Sequence, residues 1–277
     1  MNAPERLPGF THMADTQMAD IQALADHRNI AIDDVGIRGL RYPISIAGQD
    51  GTAQATVADL QLTVALPAHV KGTHMSRLVE LIENWKAPLS AASLRELARS
   101  LLERLEAERG CIELSFPYFI RKRAPVSGVE SLLDYQAGAR VSASLDGPAE
   151  VTLSLRTAVT SLCPCSREIS EYGAHNQRSH ISIEATLAGA QSDMRLEELA
   201  QIAERAASCE IWGMLKRPDE KYVTERAYDN AKFVEDLVRD VALALNASEA
   251  IRAYRVEVEN FESIHNHSAY ARIARSK

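Results

Sequence analysis

Apolar and polar residues alternate along this chain with two different periods, and the order of those periods repeats once. Residues 1–30 carry neither period and read as an N-terminal arm, mobile or partner-binding. Val35 and Ile37, then Leu40, Tyr42 and Ile44, alternate as a strand does, with a change of phase at Gly39 that predicts a bulge. Ala53, Ala55 and Val57 alternate next. Leu60, Leu62, Val64 and Leu66 follow in the opposite phase, which predicts a second slip near Asp59. The period then lengthens. Met75, Leu78, Val79, Ile82 and Trp85 recur at helical spacing, and so do Leu94, Leu97, Ala98, Leu101, Leu102 and Leu105. Thr73 reads as the N-cap of the first helix. Ser93 and Glu96 have capping-box spacing in the second, with Ser90 as the alternative start. Two strands close the half, one through Ile112, Leu114 and Phe116, the other from Tyr135 to Leu145.

The same order, ββααββ, returns further on. Val151, Leu153 and Leu155 mark a strand, and Ile181, Ile183, Ala185 and Leu187 its partner. Helical spacing follows around Leu196, Leu199, Ile202, Ala203 and Ala206, and around Val234, Leu237, Val238, Val241 and Leu245. Tyr254, Val256 and Val258, then Ala269, Ala271 and Ile273, mark the last strands. Strands with one apolar face and helices with one apolar stripe are both satisfied when helices pack on one face of an antiparallel sheet. The expectation is therefore an α+β protein with a unit over residues 31–147 and a second over 148–277. The long strands leave edges that favour oligomerisation.

Composition narrows the function. Of the 277 residues 46% are hydrophobic and 25% charged, as in ordinary globular proteins, and the formal net charge is -7. That charge disfavours nucleic acid as a partner, since phosphate neutralisation needs a basic surface. It leaves room for a small anionic substrate held by a local basic cluster. No apolar run is long enough to span a membrane, and the start lacks the pattern of a signal peptide. Cys111, Cys163, Cys165 and Cys209 are too few for a disulfide framework in a chain of this length, which points to a reduced, cytoplasmic protein.

Chemistry-bearing residues concentrate at strand ends and in loops, where functional groups are usually displayed. The segment Ser161-Leu162-Cys163-Pro164-Cys165-Ser166 follows a strand, and in an extended C-x-C the two thiols face opposite ways. Gly173 to His180 reads GAHNQRSH. His175, roughly twelve residues beyond Cys163, is placed to return to the same metal, and Arg178 offers a guanidinium fork suited to phosphate. His180 reads more simply as a solvated residue entering the next strand. The run from Glu210 to Glu225 links two helices and packs Lys216, Arg217, Asp219, Glu220 and Lys221 together. Such a run is usually a solvated face, yet if the ββααββ order holds it lies opposite the cysteine loop and offers a carboxylate ligand. Between the last two strands, Glu262-Ser263-Ile264-His265-Asn266-His267 places two imidazoles on one face if the segment is extended, which suits metal binding or acid–base work. Lys71, His74 and Arg77 flank the first helix start, a ready anion site that read alone is only a capped helix with surface charges.

Together the stretches KGTHMSR, SLCPCS, GAHNQRSH, CEIWGMLKRPDEKYVTERAYDN and ENFESIHNHSAYA resemble the type IB GTP cyclohydrolases, in that family's order, from residue 71 nearly to the end. One departure is Ala231, where the family is expected to carry proline. Alanine is a good helix former, so the helix should survive. The resemblance implies a tunnelling fold, with two ββααββ units per chain that assemble into barrels as a homotetramer and with active sites at subunit interfaces. It implies hydrolysis of GTP at C8, loss of formate and rearrangement to 7,8-dihydroneopterin triphosphate, at the head of pterin and folate synthesis. It makes Cys163, His175, Glu220 and His265 metal ligands. It makes Cys163, Glu262, His265 and His267 the catalytic set and Glu235 the carboxylate that pairs with guanine. It gives the triphosphate to Lys71, His74, Arg77, Arg178, Lys216 and Arg217. The mixed ligand set admits Mn2+ or Zn2+, with Fe2+ as a third candidate.

Two rival readings stand beside it. One is a tunnelling-fold nitrile reductase with Cys163 as nucleophile and NADPH as hydride source. The other is a non-catalytic metal- or pterin-binding module on the same scaffold.

Overall fold

The computed structural model describes residue 22, residues 24–48 and residues 52–277. In chain order the elements are β1 (Ile32–Ala47), β2 (Ala53–Leu66), α1 (Met75–Asn84), α2 (Ala91–Leu105), β3 (Arg109–Arg123), β4 (Glu130–Ser144), β5 (Gly147–Leu162), α3 (Pro164–Ile169), β6 (Asn176–Leu187), α4 (Leu196–Ala206), α5 (Arg217–Asp229), α6 (Val234–Ala247), β7 (Ile251–Asn260) and β8 (Ala269–Ser276). Among the described residues the strands form one eight-stranded antiparallel sheet whose spatial order is the chain order, β1 to β8. The ββααββ pattern is present twice, the second time with α3 and α5 added.

One face of the sheet is apolar. Leu60 and Leu62 of β2, Ile112 and Leu114 of β3, Val141 of β4, Val151 and Leu155 of β5, Ile181 and Ile183 of β6, and Val256 and Val258 of β7 are buried there. The helices cover that face. α2 lies on β3, β4 and β5, α4 on β5 and β6, and α6 on β7 and β8. Their apolar stripes are the ones the spacing predicted: Leu94, Leu97, Leu101 and Leu102 in α2, and Leu237, Val238, Val241 and Leu245 in α6 are buried.

Gly39, at φ +76°, is the predicted bulge. Arg38 pairs with Gln61 and Leu40 with Leu60, so Gly39 is the extra residue and both apolar runs of β1 face the helices. The second slip, near Asp59, is absent. β2 keeps one phase throughout, and Ala53, Ala55 and Val57 lie on the outer face. Alanine is too small for its spacing to report burial, and Val57 is simply exposed. Two capping expectations also resolve. Ser90 caps α2, accepting from the Ser93 amide at 3.2 Å while the Ser93 hydroxyl accepts from the Ser90 amide at 2.8 Å. Thr73 does not cap α1; the N-cap is His74, and the Thr73 carbonyl instead accepts from the Gln22 side chain at 2.9 Å. Most of the expected N-terminal arm, residues 1–21 and 23, lies outside the described residues. Its last part is tied down: Lys71 donates its amide to Leu24 and Asp26 donates to His69.

Candidate functional site

The antiparallel order gives the sheet two distinct ends. The β1–β2, β3–β4 and β7–β8 turns, the end of β5 and the start of β6 share one end, which we call the near end. The β4–β5 turn, the end of β2 and the start of β7 share the other. At 16 residues, β5 separates them by roughly 50 Å.

Cys163 sits where β5 stops. Pro164 at the first position of α3 ends the strand, and Cys163 becomes the extended N-cap residue. Cys163 is half-buried and Cys165, one residue into the helix, is exposed. The Cys163 amide donates to the His175 carbonyl at 3.2 Å, so the two candidate ligands are fixed next to each other by the β5–β6 pairing that begins at Leu162 and Asn176. The Ser166 hydroxyl accepts from the His175 amide at 3.2 Å and closes the loop between them. The His175 ring is held as well. Its Nδ1 lies 3.0 Å from Gln177 Oε1 and 3.4 Å from Ser263 Oγ, which brings the β7–β8 turn alongside. In that turn His265 and His267 stack with centroids 5.1 Å apart and rings 13° from parallel. The turn is not extended, yet it pairs the imidazoles all the same. The preceding Phe261 donates its amide to the Arg178 carbonyl at 3.0 Å.

The charged run between α4 and α6 reaches the same end and carries a full helix, α5, that its composition hid. Few apolar residues of α5 are buried; the helix is secured through Asp219. Asp219 is wholly buried and accepts from the Val126 and Ser127 amides, each at 2.8 Å, from the Ser127 hydroxyl at 2.5 Å, and from the Lys216 amide at 2.8 Å. Burial pushes this carboxyl up, but the four bonds outweigh it and hold it well below the usual carboxylate range. Upstream, Lys122 donates to Glu204 and to the Ile211 carbonyl, both at 2.8 Å, and lies over the Trp212 ring at 4.8 Å. The Tyr135 hydroxyl donates to Glu204 at 2.5 Å; burial and then this neighbouring carboxylate push its ionisation far above the ordinary tyrosine range. Gly213 passes so close to β4 that a Cβ there would lie 2.6 Å from the Leu132 carbonyl oxygen. A small apolar cluster of Leu162, Cys209 and Ala227, with Ala174, Trp212, Val223 and Ala231 packed against it, fills the space beneath. Burial, with Glu210 beside it, pushes the Cys209 thiol up to about 11.

Glu220 is exposed on α5 and pairs with Arg217 at 3.1 Å, an exposed ion pair of little energetic weight. Lys216 is the N-cap residue of α5. Glu235 is exposed in the first turn of α6, whose start is anchored at the near end by the Lys232 amide donating to the Leu162 carbonyl at 3.1 Å. Ala231 lies in the break between α5 and α6, and both helices are present on either side of it; its helix propensity is not what preserves them, since a proline also belongs in such a break without cost to either helix. His180 departs from the expectation of a solvated residue at a strand entrance: it lies within β6, half-buried, its ring edge-on to Phe261 at 4.8 Å, and burial, then the Arg156 guanidinium, lower its basicity.

Cys163, His175, Arg178, Lys216, Arg217, Glu220, Glu235, Glu262, His265 and His267 thus share the near end. Lys71, His74 and Arg77 do not. They follow β2 at the opposite end, where Arg77 donates to the Arg104 carbonyl at 3.4 Å. Among the described residues no three His, Cys, Asp or Glu side chains of the single chain converge on one point at metal-binding range. Sequence reasoning missed Gln177, Ser161, Ser179 and Asp219 as supports of the site, because their roles depend on strand register and not on local pattern.

A family model described as Type I GTP cyclohydrolase folE2 matches residues 18–271. The chain is 58% identical over 260 residues to the GTP cyclohydrolase FolE2 of Paraburkholderia xenovorans (strain LB400), covering 94% of this chain and 96% of that protein. Identity to the GTP cyclohydrolase FolE2 of Bordetella pertussis (strain Tohama I) is also 58%, over 255 residues, covering 92% and 95%. Among solved structures, the uricase from Arthrobacter globiformis superposes with a TM-score of 0.52 at 7% identity, covering 88% of this chain and 93% of that one. A highly active mutant of Bacillus sp. TB-90 urate oxidase gives 0.53 at 9%, covering 89% and 100%. Likeness at such identity speaks for the fold alone, and the fold is the tunnelling fold. With the family model spanning residues 18–271 and the two relatives matching 94% and 92% of the chain, this protein belongs to the Type I GTP cyclohydrolase FolE2 family.

Proposed function

We propose that this protein is a GTP cyclohydrolase that takes up one water, releases C8 of GTP as formate and yields 7,8-dihydroneopterin triphosphate for pterin and folate synthesis. Besides the family, one observation carries the reading. A thiol, an imidazole with one ring nitrogen held from behind, a pair of stacked imidazoles and two exposed carboxylates occupy the same end of one sheet.

The donor set fits a divalent cation. Cys163, His175 and Glu220 would hold it, with His265 as a fourth ligand or as a proton donor, and the His175 ring has Nδ1 engaged and Nε2 left for a ligand bond. A cation of this kind, Mn2+, Zn2+ or Fe2+, supplies Lewis-acid activation of water for attack at C8 near neutral pH. The protein's own groups do the rest. Glu235 accepts from N1–H and the 2-amino group of guanine, which orients C8. His265 and His267, in the same turn as Glu262, pass protons to the opening imidazole ring. Arg178, Lys216 and Arg217 receive the triphosphate as exposed cations at the near end.

Lys71, His74 and Arg77 reach this site only from another subunit, since their own chain holds them at the far end of the sheet. That placement supports an interfacial active site in a homotetramer. β1 and β8, the two open edges of the sheet, are the surfaces that would pair between chains. The four unpaired cysteines support a reducing, cytoplasmic location. Among the described residues no helix is long and apolar enough to cross a membrane.

The test is turnover by metal-stripped protein with Mn2+ or Zn2+ restored, following formate and, after oxidation, neopterin fluorescence. Metal-dependent appearance of both is the expected result. Formate without neopterin would limit the activity to ring opening. Neither product from a folded oligomer would sink the reading and return NADPH-dependent reduction at Cys163 to consideration.

A further inference from the structure

Behind His175 runs a short chain of buried polar groups that the proposed chemistry does not itself use. Gln177, two residues along β6, points inward with 8% of its surface exposed; Ser161 of β5 and Ser179 of β6 are wholly buried. Register brings them together, because Ser161 pairs directly with Gln177 and Val159 with Ser179. Gln177 Oε1 lies 3.0 Å from His175 Nδ1, Gln177 Nε2 donates to Ser161 Oγ at 3.1 Å, and the two serine hydroxyls are 2.6 Å apart. The same inner face is filled by Val159, Ile181 and Ile183 a few residues away. Polar side chains in such a layer are costly unless each finds a partner, and here each partner is another member of the chain or the His175 ring.

We infer that Gln177, backed by Ser161 and Ser179, is a positioning residue that fixes His175 in the Nδ1–H tautomer and so presents Nε2 outward as a lone-pair donor. The inference rests on the reading of His175 as a metal ligand only for its functional consequence; the tautomer belongs to the protein alone. An amide has one accepting end and one donating end. With Nε2 committed to Ser161, the carbonyl must face Nδ1, and a carbonyl can only receive a proton from the ring. Gln177 Nε2 donates to Ser161 Oγ, which in turn shares a 2.6 Å hydrogen bond with Ser179 Oγ in which either hydroxyl can donate. The neutral side chain of free histidine, whose ring is made unsymmetrical by its substituent, prefers the opposite tautomer, so without Gln177 the ring would spend most of its time with a proton on the nitrogen needed for the metal. Ser263 Oγ, at 3.4 Å from Nδ1, is a weaker second contact.

The experiment begins with native, metal-free protein labelled with 15N-histidine, at alkaline pH where the ring is neutral. Two-bond correlations report which nitrogen of His175 carries the proton, with His175→Ala to assign the signal. Nδ1–H is expected; Nε2–H would overturn the inference with no variant needed. Gln177→Met keeps the side chain's length and removes both polar ends. It should shift the ring toward Nε2–H and weaken Zn2+ binding, measured by chelator competition, by about 10–100-fold. Gln177→Glu restores an acceptor and should restore both readouts, which a loss of packing alone would not permit. A Gln177→Met protein with native tautomer and native affinity overturns the inference. If His175→Ala binds Zn2+ as tightly as native protein, the metal reading fails, while the tautomer measurement still decides the role of Gln177.

Discussion

Replacing Lys122 by methionine should cost this protein about 3–5 kcal/mol of stability, the range for removing one partner of a buried ion pair. The two side chains are 10% and 12% exposed, and Lys122 Nζ sits 2.8 Å from Glu204 Oε1. At that distance and an effective dielectric near 20 the gross attraction is about 6 kcal/mol. Desolvation of the two ions consumes several kcal/mol of it, so the pair as a whole adds little. The loss on mutation comes from what stays behind. Glu204 would keep only the Tyr135 hydroxyl, and the Ile211 carbonyl would lose its donor. Methionine retains the stem of the lysine against Trp212, so packing changes least. Urea unfolding at one fixed protomer concentration gives the magnitude, since association would otherwise shift the midpoint. Adding Glu204→Gln removes the orphaned charge and should return about 2 kcal/mol. A Lys122→Met protein within about 1 kcal/mol of native, or a double variant weaker than either single one, would refute the account of this cluster. Hydrogen exchange adds a local reading: amides of residues 208–216 should open first, since Lys122 holds that segment to β3.

Other outcomes follow from the near end. Cys163→Ala should abolish turnover and weaken metal binding at least tenfold, whereas Cys165→Ala, exposed and without a described partner, should retain most of both; the reverse order would reassign the ligand. Glu235→Gln should lower kcat/KM for GTP by about 1–3 kcal/mol in transition-state terms, as for the loss of a charge-assisted hydrogen bond, with metal affinity unchanged; equal loss of metal would place it in the wrong role. A thiol reagent on native protein near neutrality should label Cys165 quickly and Cys209 only on unfolding. Because the folded Cys209 thiol is pushed up to about 11, above its unfolded value, its contribution to stability should vanish as pH rises through that range, and Cys209→Ala should show a shallower alkaline decline.

Much of the architecture was legible because burial and period coincide. Leu94, Leu97 and Leu101 announce α2, and Gly39 announces the bulge, since only a change of side keeps Leu40 and Tyr42 on the face that Val35 and Ile37 began. α5 stayed hidden for the converse reason. It is held by Asp219 accepting bonds from a distant hairpin, so its sequence shows charges and no stripe. The β2 phase misled because Ala53 and Ala55 are apolar in type but small enough to sit on either face. The motifs around Cys163, His175 and His265 could be read as chemistry from residue types alone. Their common location needed the pairing of β5, β6 and β7, and so did the separation of Lys71 and Arg77 from them. Gln177 looked like one more loop residue. Its inward direction is a matter of register, which a one-residue slip would reverse.

The identity of spatial and sequential strand order has a consequence for how the chain reaches this structure. Every strand forms its ladder with the strand made just before it, and the connections are either local loops or segments that carry helices. A nascent chain can therefore complete β1 to β4 with α1 and α2 while the rest is still being synthesised, with β4 left as the template for β5. No strand waits for a distant partner to emerge. The last strand to form, β8, is also an outermost one, so the open edge on that side comes into being only when the helices beneath it are already in place.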